Sequence, residues 1–392
     1  MTIRILGKDD IPANLELSYL GYPTIRDYTD EGVADYTRQL ELITDDASGV
    51  SAYGGFIDDR LVAIARAFDF EMNVYGQMTK VSGYGTLAVH PLYKKSGLAA
   101  RLTAYYEDQA KQQGIDTTCL LPFRPDYYEQ KGYGFSTKME LYQVDLKYCP
   151  DYSGPYEVRL IESVDELFHC HDHFTRQTHG MVRLLGLEKD HLRREFKGLQ
   201  TTFIGVYQAE RLIGYTSYRI KSLIDGNYTK NYIKANDIIV RDAQSLRAIL
   251  GFFRRQSDLA EYVEFHTQIP GITHLFSNPL DRSGGYIANG YLQSNRQAVG
   301  LMLKIIDPAR WLERHGDRLS MPPLTWDIEG EIVGRGPHRV SLKRSHLSSL
   351  WYGAISFLSL YRLGLIECDE ATAERLRRTF PGDDPPQNNT DF

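Results

Sequence analysis

One phrase is written twice in this 392-residue chain, and it restricts the fold more than any other feature. Tyr53-Gly54-Gly55-Phe56-Ile57 and Leu61-Val62-Ala63-Ile64-Ala65-Arg66 flank a polar turn at Asp58-Asp59. About 150 residues later Phe203-Ile204-Gly205-Val206-Tyr207 and Leu212-Ile213-Gly214-Tyr215-Thr216-Ser217-Tyr218 flank a polar turn again. Two apolar runs around a short polar pair read as an antiparallel hairpin. A strand and then a helical pattern precede each copy: Arg4-Ile5-Leu6 with its helix, and Val158-Arg159-Leu160 with Val164 to Phe168. Another strand follows each, Gly85 to Val89 and Asp237 to Val240. The pattern predicts a duplicated α/β (α+β) domain. Cys149-Pro150 and Ser153-Gly154-Pro155 punctuate the join. From about residue 292 the pattern changes, so the expected division is 1–150, 151–291 and 292–392.

The first copy carries the stretch with the most chemistry, Val81 to Gly134. A strand (Val81 to Val89) runs into Lys94-Lys95-Ser96-Gly97. From Leu98 apolar residues recur at helical spacing through Leu102, Tyr105 and Tyr106, with Gly114 as the stop and Ser96 as the expected N-cap. The first turn of a helix leaves N–H groups unpaired and concentrates positive partial charge, so phosphate fits there. Gly97 has no side chain to hold a pyrophosphate off the backbone. A second strand (Thr117 to Leu121) and Asp126-Tyr127-Tyr128 close the unit. The second copy instead reads Arg241-Asp242-Ala243-Gln244-Ser245-Leu246 after Val240, without glycine and with an aspartate where phosphate would approach. It is expected to serve as a wall or substrate platform.

The third segment predicts a buried strand at Leu301 to Ile306 and a helix from Asp307-Pro308 to His315. Trp326 to Val333 is expected to pair with Arg339 to Leu342, ahead of one apolar helix from Leu347 to Tyr361 and a basic amphipathic helix from Asp369 to Thr379. A net charge of −6 gives no electrostatic reason to expect nucleic acid. The four cysteines are scattered, as in a reduced cytoplasm. No apolar run is long enough to span a bilayer, and MTIRILGKDD is not a signal peptide. His169-Cys170-His171-Asp172-His173 has metal-ligand residue types but no distant partner pair, so it reads as a polar helix face and no metal is expected.

Lys94, Gly97 and Ala99 resemble the acyl-CoA loop of GNAT acetyltransferases: arginine or glutamine, two residues, glycine, one residue, then glycine or alanine. Lysine at the first position departs from that pattern. Tyr128 followed by Gly132-Tyr133-Gly134, together with the three-part layout, resembles the enhanced intracellular survival (Eis) acetyltransferases across essentially the whole chain. The resemblance implies tandem GNAT domains, the second degenerate, then a sterol-carrier-protein-like α+β domain. It also implies a hexamer, acetyl-CoA as co-substrate, and a small cationic amine as acceptor (aminoglycoside-, polyamine- or lysine-like). The backbone of Leu87, Ala88 and Val89 would grip the pantetheine arm. The N–H groups of Lys95, Ser96, Gly97, Leu98, Ala99 and Ala100 would hold the pyrophosphate, and Phe123 and Arg124 would add further contacts.

Tyr128 is the expected general acid for the departing thiolate, with Tyr127 as rival; the family's catalytic tyrosine stands four residues before the Gly-Tyr-Gly motif. The last thirteen residues, Phe380 to Phe392, have the composition of a disordered tail. Twelve extended residues nonetheless span about 40 Å, and in the resembled family the terminal carboxylate sits in the active site as base. Carried over, that carboxylate belongs to Phe392, with Asp383, Asp384 and Asp391 adding acidity. A carboxylate of pKa about 3.5 is roughly seven units too acidic to strip an alkylammonium, so it needs a water relay or serves to bind the cation. The alternative is a non-catalytic CoA- or lipid-binding protein that uses the sterol-carrier-like domain.

Overall fold

The computed structural model describes residues 1–44, 48–319, 321–380, 382 and 385–390. The first unit contains β1 (Thr2–Ile5), α1 (Ile11–Gly21), α2 (Asp30–Ile43), β2 (Val50–Ile57), β3 (Arg60–Val74), β4 (Gln77–Val89), α3 (Leu98–Gln112), β5 (Thr117–Leu120), α4 (Pro125–Glu129) and β6 (Gly134–Phe135). The second contains β7 (Lys138–Asp145), β8 (Glu157–Leu160), α5 (Val164–Gln177), α6 (Gly186–Lys197), β9 (Thr202–Gln208), β10 (Arg211–Ser222), β11 (Asn231–Ala235), β12 (Ile239–Val240), α7 (Ala243–Arg254), β13 (Tyr262–Thr267) and β14 (Arg296–Val299). Then follow β15 (Met302–Ile305), α8 (Pro308–His315), β16 (Leu324–Ile328), β17 (Glu331–Val333), β18 (His338–Leu342), α9 (Arg344–Trp351), α10 (Phe357–Arg362), β19 (Ile366–Glu367) and α11 (Glu370–Thr379).

The duplication read from the hairpins extends to whole sheets. The first sheet has the order β1-β2-β3-β4-β5-β15-β6, and the second has β8-β9-β10-β11-β13-β7-β14, with β12 added to β10. In each, the fourth and fifth strands are parallel and the sixth is antiparallel to the fifth. Those sixth strands cross the expected divisions. β7 precedes residue 150 but belongs to the second sheet, while β15 follows residue 292 yet completes the first. Ladder pairing and buried Met302, Leu303 and Ile305 hold β15 in place. Lys304 bonds Glu107 of α3 at 2.6 Å, and Tyr352 donates to Thr117 Oγ1 at 3.0 Å. No single cut in the sequence separates the two sheets.

Three local expectations change in the last segment. Leu347 to Tyr361 is two helices, because Gly353 turns left-handed (φ 70°) after α9 and the Ser356 hydroxyl caps α10 by accepting from Ser359 N at 3.1 Å. Trp326 to Val333 is itself a hairpin, turned at Glu329 and Gly330, which both have positive φ. β18 then joins β16 in parallel rather than antiparallel fashion. The tail is ordered at Pro385 to Thr390: Gln387 N donates to His179 O at 2.9 Å, and Asn388 N to Gln268 Oε1 at 2.6 Å. These bonds outweigh a composition that by itself favours disorder.

Candidate active site

Strand β4 is thirteen residues long, but β5 pairs with it only through Ser82 and Gly83. From Tyr84 onward the two strands separate and leave backbone groups of β4 unladdered on that side. A bulge lies in the opened part: Gly85 opposes Arg66 and Ala88 opposes Ile64, so Thr86 and Leu87 share one partner position. Thr86 takes the left-handed region at φ 50°. Leu87 and Val89 are half-buried and Ala88 is buried. The three residues expected to grip the pantetheine arm therefore line the splay.

The loop beyond β4 delivers the chain to α3. Lys95 (φ 61°) and Gly97 (φ 81°) both adopt left-handed backbone, and the loop is exposed. Gly97, not Ser96, is the N-cap, and it supplies no side-chain hydrogen bond; the Ser96 hydroxyl turns back to donate to Tyr93 O. The first-turn N–H groups of Leu98, Ala99 and Ala100 thus have no side-chain cap, and a Cβ built at Gly97 would meet nothing within 4 Å. The equivalent helix end in the second copy is closed. Asp242 caps α7 through Ser245 N at 2.8 Å and is itself held by Arg241 and by the Tyr156 hydroxyl. The residues present in the first copy fit an anionic cofactor; those in the second occupy the same place with a carboxylate.

Tyr128 lies on α4 and is 9% exposed. Its ring meets Tyr127 edge-on at 5.1 Å and Tyr133 at 5.7 Å. Burial, reinforced by the neighbouring Tyr22 and Tyr127, raises the Tyr128 phenol far above its ordinary value, so it stays protonated throughout the working pH range. Burial also raises Tyr127, with Thr103 opposing. Phe123 is 89% exposed, and Arg124 pairs with Asp126 at 2.6 Å. Phe392, Asp383, Asp384 and Asp391 lie outside the described residues.

Sequence reasoning missed a second group at the splay. The Tyr22 hydroxyl donates to Leu87 O at 2.9 Å, and its pKa is pushed up to about 12, chiefly by burial. Beside it, Arg66 Nη2 and Arg26 Nη2 both donate to the Tyr36 hydroxyl, at 2.7 and 2.9 Å. The signal was an arginine inside the otherwise apolar run Ala63 to Phe68. Gln39 lines the cavity that holds Arg26 and Tyr36 and also a larger one of about 640 Å³, whose walls include His191, Glu195, Tyr215 and the tail residues Asn389 and Thr390. An Asp35–Arg194 pair at 3.0 Å ties α2 to α6 across this region. The lining mixes acids and bases. His169 to His173 lies on α5, where Cys170 and His171 are buried rather than exposed on a polar face. Among the described residues no group of three or more His, Cys, Asp or Glu side chains is gathered as a metal site would be.

Residues 2–136 match the acetyltransferase (GNAT) domain family, and residues 301–387 the sterol carrier protein domain family. The chain therefore carries a GNAT acetyltransferase domain within an Eis-like fold. Eis1 from Mycobacterium abscessus aligns over 100% of both chains at 16% identity with a TM-score of 0.77. A conserved protein from Enterococcus faecalis V583 aligns over 100% of this chain and 99% of its own, at 17% identity and TM-score 0.79. A GCN5-related N-acetyltransferase from Anabaena variabilis ATCC 29413 covers 98% of each chain at 13% identity, also with TM-score 0.79. A search of curated protein sequences finds no match. The two family matches begin and end near the sheet exchange, since 136 precedes β7 and 301 precedes β15.

Proposed function

We propose that the chain transfers acetyl from acetyl-CoA to the amine of a small acceptor that is aminoglycoside-, polyamine- or lysine-like. The observation that carries this reading is the contrast between the two copies: α3 begins at an uncapped glycine beside an opened strand, and α7 begins at a capping aspartate. Lys95 to Ala100 would hold the pyrophosphate, Leu87 to Val89 the pantetheine arm, and Phe123 and Arg124 the outer cofactor. In this reading the second unit and the tail form the acceptor wall.

Attack on the thioester needs a neutral amine and a proton for the leaving thiolate. Tyr128 is the proposed acid; its buried, protonated phenol adjoins Tyr22, which is bonded to Leu87 O at the bulge. The terminal carboxylate of Phe392 is the proposed base or cation-binding group. Its acidity mismatch calls for a water relay if it acts as base, and is no obstacle if it only binds the cation. The lipid-binding alternative meets a filled interior: Trp311 stacks on Trp351 at 4.8 Å, and Trp326 meets Trp351 at 5.3 Å. Thiol release from acetyl-CoA across polyamines, aminoglycosides and lysine peptides is the test. Turnover on at least one class supports the reading, whereas no turnover together with tight fatty-acid binding would favour the alternative.

A further inference from the structure

We propose that Arg66, Arg26 and Tyr36 form a carboxylate-binding subsite, and that the acceptor is an amine bearing its own carboxylate, as an amino acid or peptide does. This rests on the acetyltransferase reading and selects within it. The cluster is made of donors. Arg66 is 8% exposed, and its only side-chain hydrogen bond among the described residues is the one to the Tyr36 hydroxyl. Arg26 gives Nη2 to the same oxygen, lies 3.9 Å over the Tyr36 ring, and has a buried Nε with no partner. Each guanidinium carries five N–H bonds. The phenol oxygen accepts from both and keeps its own O–H to donate.

Buried arginine is ordinarily paired with an anion. Other arginines that bridge the units are: Arg194 bonds Asp35, Arg314 bonds Asp116 and Arg183 bonds Glu71. Of the carboxylates lining this cavity, Asp35 is engaged by Arg38, Gln39 and Arg194, Asp27 accepts from Thr29 N, and Glu31 bonds neither guanidinium among the described residues. Burial draws the Arg66 guanidinium below its ordinary value, the Tyr36 phenol opposes that, and Arg26 reinforces it. A planar carboxylate would supply the missing acceptor and charge in fork geometry.

Position ties the subsite to the reaction. Arg66 shares its face of β3 with Ile64 and Phe68, whereas Ala63, Ala65 and Ala67 face the cluster containing Leu98 and Leu102 of α3. It stands opposite Gly85, next to the bulge. The guanidiniums therefore occupy the side of the sheet away from the phosphate-binding helix, where an acceptor would enter.

Lysine and 1,5-diaminopentane share a chain and an amine and differ by the carboxylate. With acetyl-CoA, kcat/KM should be at least tenfold higher for lysine, and that ratio should fall toward one in Arg26→Gln, which alters the loop after α1 and leaves the strand intact. Arg66→Gln should act likewise, with part of the ratio recovered in Arg66→Lys. Equal rates for the two amines, or an unchanged ratio in Arg26→Gln, would overturn the subsite. If neither amine is acetylated, the proposed function fails separately, and calorimetric binding still reads the cluster: lysine binding lost in Arg26→Gln supports it, and indifferent binding overturns it. Lysine binding that appears only after deletion of Asp391 and Phe392 would show that the guanidiniums serve the chain's own terminus, which also overturns it.

Discussion

Gly97 and Asp242 begin equivalent helices, and giving the first the chemistry of the second tests what the difference does. Gly97→Asp places a carboxylate and a cap at the open end of α3 while the side chain enters free space. A non-glycine residue at φ 81° costs about 1–2 kcal/mol. The fold should therefore survive while acetyl-CoA affinity, measured by calorimetry, falls more than tenfold. Tyr128→Phe should behave oppositely, lowering kcat about 100-fold or more with acetyl-CoA affinity nearly unchanged; an unaltered kcat would remove Tyr128 from the acid role. Tyr128 became a candidate through the resemblance, as a tyrosine four residues before Gly-Tyr-Gly, whereas the glycine at the head of α3 was legible because local spacing sets it between a strand and a helix. Arg66 was not, since its meaning depends on Tyr36 thirty residues away and on the bulge opposite. The Ser96 cap failed because hydroxyl chemistry alone does not say which residue precedes the first helical turn; Gly97 could adopt the left-handed turn there and Ser96 bonded backward instead.

At the scale of elements, repeated hairpins revealed a repeated sheet because period-two patterning survives in each strand. They did not reveal the exchanged strands. A buried four-residue strand such as Met302 to Ile305 has no local mark of which sheet will take it; the choice comes from long-range pairing with Thr117 to Leu120 and from the Lys304–Glu107 bond. The same limit explains why one apolar helix was expected where α9 and α10 stand, since the break at Gly353 interrupts a composition that otherwise continues. If β15 completes the first sheet, that sheet cannot be isolated as residues 1–137. Such a fragment should lack a cooperative thermal transition. In the full chain, Leu303→Lys should cost about 3 kcal/mol or more and weaken acetyl-CoA binding through loss of the β5 edge, readable by denaturant melts and calorimetry.

For the whole molecule, two buried histidines set a pH limit. Burial lowers His171 and His315 to about 4 from an ordinary value of 6.5. The unfolded chain binds those protons first as pH falls, so the stabilisation is complete above pH 6.5 and is lost progressively down to about pH 4. Between pH 7 and 5 each should remove about 2 kcal/mol, and a denaturation series that stays flat over this interval would refute the assignment. All three segments also contribute to the larger chamber: Gln39 of α2, residues of α6 and β10, and Asn389 and Thr390 of the tail line it. An acetyl-transfer assay on the full chain therefore bears on all of them at once. The account predicts thiol release from acetyl-CoA that depends on an added amine and drops sharply in Tyr128→Phe. Release that is independent of every amine offered, or equal in the wild type and Tyr128→Phe, would contradict it.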